Sequence, residues 1–398
     1  MKWVSALWLW MFFGSLGCLN EKTKIDEIIL WHAYRGAEAR ALDKSVVRYN
    51  ATDPKRPLRA VALPYDAFAN KLRVSVPRGN GPDLFIFAHD QVGDWAEIGL
   101  IEPLGAHMTG AQLARFLPET LPGLVYDNVL YGLPLAYKTL ALFYDRTLVS
   151  EAPKTSDEMI AMATQVQSSS PGHWGIAYPV ESFYYHAPWL HGFGADVFNE
   201  RNAFHIDTPG MRQSLAFARR LVADGLMPKD AASAQIMALF KERRLAFVID
   251  GPWFAGGLET HENWGVAPLP IVSSTGKFAR PYLGIEALMM SGHSRVKAEA
   301  LSAARFLTSD TEAAQRWLHS RQLVANSSVY ASGRLAQDPF AKAFRAQLPH
   351  TKTLSNAPIV RQMWSPLDRL LSQAVVRGAN EVTAINEAKR AIQRASKK

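Results

Sequence analysis

The sequence predicts an α/β protein built from more than one domain. Three observations carry that reading. The chain has 398 residues, 48% of them hydrophobic and 20% charged, a globular composition at a length that accommodates two or three domains of roughly 100–200 residues each. Residues 28–88 alternate short β-rich runs with amphipathic stretches in the order β-α-β-α-β, the signature of a mostly parallel sheet with helices on its faces. The pattern then changes near residues 134–146, where LPLAYKTLALFYDR carries two apolar runs that read as strands crossing from one domain into another.

The elements follow in order. Ile28-Ile29-Leu30-Trp31 is a short apolar run and opens the first strand. GAEARALDKSVVRYNA places Ala37, Leu42, Val46 and Val47 at nearly helical spacing. Residues 58–63 (LRAVAL) predict a second strand, YDAFANKLRVSV a second helix, and PRGNGPD a turn. The third strand, FIFA, ends abruptly in His89-Asp90-Gln91, and Trp95 packs the helix beyond it. Residues 154–165 predict a helix begun by Ser156 or Asp157. Residues 211–223 predict another, and ALFKERRLAFVIDGPW reads as a helix end feeding a strand. LGIEALMM (283–290) predicts a strand, while 295–318 and 363–397 are helical in period.

The formal charge of +8 is spread along the chain, and basic groups such as Lys241-Glu242-Arg243-Arg244 are interrupted by acids. With no zinc-finger spacing and no Arg-rich tail, this argues against nucleic acid as a partner. GxxxxGK[ST], HExxH, GxSxG, an EF-hand loop and CxxC are all missing, and the 11 His form no metal-binding spacing. No cofactor and no metal are expected.

The start, MKWVSALWLWMFFGSLGC, has Lys2, an apolar stretch and then small residues. It reads as a secretory signal over residues 1–18, too short for a stable membrane span. The single cysteine, Cys18, sits where the apolar stretch ends, so no disulfide can form within the chain. Gly17 directly before it suits a lipobox, although Ser15 stands where Leu is usual. Lipidation at Cys18, a tether over residues 19–26, and a location in the periplasm or on the outer face of the cytoplasmic membrane are the expectations.

Five segments then carry a likeness: GNGPDLFIFAHDQVGDWAEIGLIEPL, LPLAYKTLALFYDR, ESFYYHAPWLHGFGADVF, ALFKERRLAFVIDGPW and RPYLGIEALMMS. In this order they resemble the family-1 extracellular solute-binding proteins of ABC importers, in particular the maltodextrin-binding members, from about residue 25 to 395. The resemblance implies a two-lobed periplasmic-binding-protein fold with a ligand cleft between the lobes. Lobe one would comprise 25–135 and 287–325, and lobe two 136–286 and 326–398. It implies capture without chemistry: a monomer, not an enzyme, that binds a maltodextrin-like di- or oligosaccharide between closing lobes and delivers it to the transmembrane subunits of an ABC permease.

A sugar asks for flat rings against its C–H faces and directed donors and acceptors for its hydroxyls. By the resemblance, Asp90 takes the place of a hydroxyl-accepting Asp and Phe87 that of a stacking Trp. Gln91 stands where the family has Arg, which removes a charge and a rigid fork. Lys138 replaces a sugar-binding Glu and can donate to hydroxyls but not accept from them. Glu181, Phe183 and Tyr184 match a family Glu and its paired aromatics. Trp253, presented by the Gly251-Pro252 turn, matches the stacking Trp of lobe two, and Trp364 an aromatic ahead of the last helices. Arg35 and Glu38 are the polar side chains at hand for a terminal sugar.

Read from the residues alone, Asp90 serves equally as a helix cap, Phe87 and the Phe183–Tyr184 pair as packing, Lys138 as a surface lysine, and Arg35 as a helix start. An alternative keeps the fold and changes the ligand: Lys138, Arg35 and the basic balance would suit an anion such as a uronate or glycerophosphodiester. A remote alternative is a secreted glycosidase with Asp90 and Glu181 as its carboxylates.

Overall fold

The computed structural model describes residues 27–199, 203–258, 263–331 and 333–395. Cys18, the signal segment and the tether lie outside the described residues. Two sheets form the centres of two lobes. In the first, Ile28–His32 runs parallel to Leu58–Ala62 on one side and to Leu84–Ala88 on the other. Leu84–Ala88 then pairs antiparallel with Tyr282–Met290, whose far side takes Gly132–Lys138. Lys352–Thr353 extends the sheet beside Tyr282 and Leu283. The second sheet has the order Trp264–Ala267, Ala141–Asp145, Leu245–Asp250, Trp174–Ala177, with only the last pair parallel. Leu84–Phe87 and the whole of Leu245–Asp250 are buried. Strands covered on both faces read as unbroken apolar runs, which is why they were visible in sequence.

The two runs of LPLAYKTLALFYD belong to different sheets. Gly132–Lys138 finishes the first and Ala141–Asp145 enters the second, with Thr139-Leu140 between them. The Thr139 hydroxyl donates to the Tyr282 carbonyl at 3.0 Å and ties the outgoing crossing to the returning strand. The first crossing therefore lies after Lys138 rather than after residue 135, and the return precedes Tyr282 rather than residue 287. Asn326 still bridges to Phe116, and Ser327 N donates to the Arg115 carbonyl, so this stretch stays with the first sheet. The Pro339–Gln347 helix packs on the second sheet, with Phe344 6.3 Å from Phe143 between ring centres. Strand pairing sets these limits, and composition does not reveal it.

Two helix starts also differ from expectation. Thr155, not Ser156 or Asp157, caps the helix Ser156–Ser169, accepting from Glu158 N at 3.2 Å. The helical stretch 295–318 is two helices, Lys297–Leu307 and Asp310–Ser320, because Ser309 accepts from Glu312 N and starts a new one.

Behind the third strand, His89 is buried. Its Nδ1 accepts from Ile285 N at 3.1 Å, and its Nε2 faces the Leu354 carbonyl at 2.7 Å. The backbone partners thus select the Nε2–H tautomer, and the ring pins the strand end to two crossing segments. Gly93 makes room for one of them: a Cβ there would lie 2.4 Å from the Asn356 carbonyl oxygen.

The buried histidines make stability acid-sensitive. Burial lowers His89, and lowers His186 to about 3 and His191 to about 4. The unfolded chain takes up these protons near pH 6.5, about the ordinary value, while the folded chain does not. Stability is therefore full above that pH and is lost as pH falls toward the folded values, by roughly 1.4 kcal/mol per histidine per pH unit. Asp250, raised by burial to about 6, works in the opposite sense as a single group. The melting midpoint should fall between about pH 7 and pH 4, and His186→Gln should make that fall shallower. An unaltered slope in the variant, read by calorimetry, would contradict this account.

Candidate functional site

The first three strands end in one region: Tyr34, Tyr65 and Asp90 each follow a carboxyl end, where open α/β sheets gather ligands. A cavity of ≈210 Å³ there is lined by Tyr34, Glu38, Tyr65, Phe87, Lys138 and Glu286. A larger one of ≈780 Å³ is lined by Glu38, Lys138, Gln322, Trp253, Trp264 and Phe340 among others. Glu38 and Lys138 line both, so the two spaces are compartments of one cleft between the lobes.

The lobe-one wall is polar and centred on Glu286. Lys138 Nζ lies 2.5 Å from its Oε1. Tyr34 OH and Gln322 Nε2 donate to its Oε2 at 3.0 and 2.8 Å. Gln322 also reaches Glu38 Oε1 at 3.4 Å. Burial opposes the Lys138 charge, but Glu286 and Glu38 outweigh it and hold the ammonium above its ordinary pKa. Burial, and then the Glu286 charge, push the Glu38 carboxyl up. Above this wall Tyr65, 53% exposed, stacks on Phe87 at 4.9 Å with 19° between the rings.

The lobe-two wall is aromatic. Trp253 is 45% exposed. Tyr184 stands 6.4 Å from it and 6.5 Å from Trp364, centre to centre, and Trp364 lies 6.1 Å from Tyr282. Beneath Trp253, the buried Asp250 Oδ1 accepts from Gly251 N at 2.7 Å and from Tyr185 OH at 3.1 Å. Burial raises this carboxyl to about 6, against the opposing pull of its donors and the neighbouring Trp253 indole. A Cβ on Gly251 would lie 2.2 Å from the Trp253 ring, so the ring rests directly over the glycine.

The residues singled out in sequence divide accordingly. Glu38, Lys138 and Trp253 line the large cavity, and Tyr184 and Trp364 continue the aromatic wall. Asp90 is half-buried, caps no helix, and has its Oδ1 buried without a hydrogen-bond partner among the described residues. Five of these residues need correction. Phe183 is fully buried in the lobe-two core and has no face for a ligand; Tyr184, one residue on, takes that position. Phe87 is buried between neighbouring rings and supports Tyr65, which covers it. Gln91 is 8% exposed and turns from the cleft to accept from Arg361 Nη1 at 3.2 Å. Arg35 and Glu181 are exposed and line neither cavity. Sequence reasoning missed Tyr65, Glu286, Gln322 and Asp250. Only Tyr65 carried a signal, since it follows a strand end as Asp90 does.

Among the described residues, no helix is long and apolar enough to cross a membrane, and no group of three or more His, Cys, Asp or Glu could hold a metal ion. Comparison with known proteins places the chain. The maltotriose-binding protein of Pyrococcus abyssi (strain GE5 / Orsay) is 27% identical over 343 residues, covering 85% of this chain and 75% of the relative. The galactooligosaccharide-binding protein of Bacillus subtilis (strain 168) is 25% identical over 93% of this chain and 89% of its own. The fold matches the crystal structure of a cyclo/maltodextrin-binding protein complexed with maltotetraose, with a TM-score of 0.84 at 23% identity, covering 94% of this chain and 98% of that one. The family model of the bacterial extracellular solute-binding proteins matches residues 44–343. With that match, the chain belongs to the bacterial extracellular solute-binding proteins, and it is a binding protein rather than an enzyme.

Proposed function

We propose that this protein captures an oligosaccharide of the malto- or galacto-type in its interlobe cleft and delivers it to the transmembrane subunits of an ABC permease. The observation that carries the reading is the opposition of the two walls. Trp253, Tyr184 and Trp364 offer ring faces from lobe two, and Glu38, Glu286 and Gln322 offer hydrogen-bonding groups from lobe one. A pyranose between them buries its C–H faces on the rings and turns its hydroxyls to the acids. Tyr65 supplies a further platform. Glu38 acts as a hydroxyl acceptor. Lys138 keeps donors to spare beyond the one engaged by Glu286. The names of the two relatives support this class of ligand.

The charge arrangement disfavours an anion. Lys138 is engaged by Glu286, Arg321 by Asp338 at 2.7 Å, and Arg146 lies over the Tyr144 ring. An incoming carboxylate or phosphate would meet Glu38 with the nearest cation already committed. Capture proceeds by a shift between open and closed lobes, and affinity comes from contacts made only when both walls engage. The protein works as a monomer, held to the outer face of the membrane by a lipid on Cys18.

Thermal shift against maltotriose, a galacto-oligosaccharide, a uronate and a glycerophosphodiester tests the ligand class. Specific binding at about 100 times Kd adds roughly 2.7 kcal/mol and raises the midpoint. One of the two neutral oligosaccharides should do so; a response to the anions alone would overturn the proposal. Trp253→Ala should weaken binding roughly ten- to hundredfold through the lost stacking face. By contrast, Phe183→Leu should lower the melting midpoint and leave sugar affinity near that of the parent protein. If titration calorimetry shows a large affinity loss for Phe183→Leu, its assignment to the core is wrong.

A further inference from the structure

Trp253 is the most exposed ring of the lobe-two wall, and little covers it from above. Its orientation is set from below. The Leu245–Asp250 strand ends in a buried carboxylate, and two donors converge on its Oδ1, Gly251 N–H and Tyr185 O–H, with the Trp253 indole beside them. The Tyr185 hydroxyl in turn lies near the Trp253 indole and Ser233. The glycine beneath the ring lets it lie flat against the backbone. The ring is thus seated along one face, and the other face is left to the cleft.

We propose that Asp250 is a positioning residue for ligand capture: as an anion, its carboxylate locks Trp253 and Tyr185 in the orientation that presents the Trp253 ring to the sugar. The proposal rests on the reading of the cleft as an oligosaccharide site. An ionised carboxylate accepts and never donates, which matches a set made only of donors. A proton on Asp250 removes the charge that strengthens both hydrogen bonds, and the turn and the tyrosine that seat the ring are loosened. The titratable groups facing Asp250 are Tyr184 and Tyr185, from the Phe183–Gly192 helix, and burial raises both, so they stay neutral. Ala141, opposite Asp250 on the adjoining strand, and Ser233, at the start of the Ser233–Lys241 helix, carry no charge. The raised carboxyl, about 6, brings the change within reach of ordinary buffers.

The test measures maltotriose affinity at about pH 7.5 and about pH 5 for the parent protein, Asp250→Asn and Gly251→Ala. With the ligand-competent form deprotonated, parent affinity should fall roughly tenfold at the lower pH. Asp250→Asn keeps an acceptor oxygen but cannot titrate, so its affinity should be weaker at the higher pH and flat between the two. Gly251→Ala displaces the ring while leaving Asp250 in place and should bind weakly at both. A parent protein with pH-independent affinity, or an Asp250→Asn variant that retains the parent slope, overturns the proposal. A ligand-free readout separates this from failure of the sugar reading. The difference in fluorescence between the parent and Trp253→Phe should titrate with a midpoint near 6, and the titration should vanish in Asp250→Asn. If maltotriose proves not to bind, that titration alone decides: its presence upholds the positioning role, and its absence refutes it.

Discussion

The Gly132–Lys138 strand and the Tyr282–Met290 strand run antiparallel, one leading the chain out of lobe one and the other bringing it back. Their register sets Gly284 opposite Lys138, and the ladder shifts by a bulge between Glu286 and Ala287. Bulges bend a strand and re-aim the side chains beside them. Here the irregularity falls at the residue whose carboxylate gathers Lys138, Tyr34 and Gln322. One stretch of backbone pairing therefore joins the lobes and builds the floor on which the polar wall stands. His89 and Thr139 fasten the same pairing from either side through the backbone of Ile285 and Tyr282.

In the proposed capture, the lobes divide the work of recognition. Lobe one contributes groups whose directions are fixed by ion pairs and strand ends. Lobe two contributes flat apolar surface, held by a small hydrogen-bonded cluster at the end of its own buried strand. Neither wall encloses a ligand alone, so binding and the lobe-to-lobe geometry are coupled. Asp368 strengthens the second wall by accepting from Phe183 N at 2.7 Å, which fixes the helix carrying Tyr184 and Tyr185 to the helix carrying Trp364.

Much of this was legible in sequence because buried strands announce themselves as apolar runs, and because Gly-Pro-Trp marks a turn that must present a large ring. What stayed hidden was long-range pairing. Lys138 looked like a lone cation because Glu286 lies 148 positions away. Gln91 looked like a weakened ligand contact because Arg361 is 270 positions distant. Neighbouring aromatics at a helix start gave no clue that Phe183 turns inward and Tyr184 outward, since one step along a helix rotates a side chain by about 100°. Asp250 drew no reading of its own; only the fold shows that it is buried, with Gly251 N and Tyr185 OH donating to it.

The compensation of charge around the large cavity reaches beyond ligand choice. Glu38, Glu286 and Asp338 stand against Lys138, Arg146 and Arg321, so the formal charges around the cleft balance. A neutral cargo can then arrive and leave without stranding a bare ion or drawing a counter-ion in its place. Exchange of this kind is nearly indifferent to ionic strength, because there is no net attraction for salt to screen. For the neutral oligosaccharide proposed above, a balanced cleft keeps capture steady from dilute to saline surroundings.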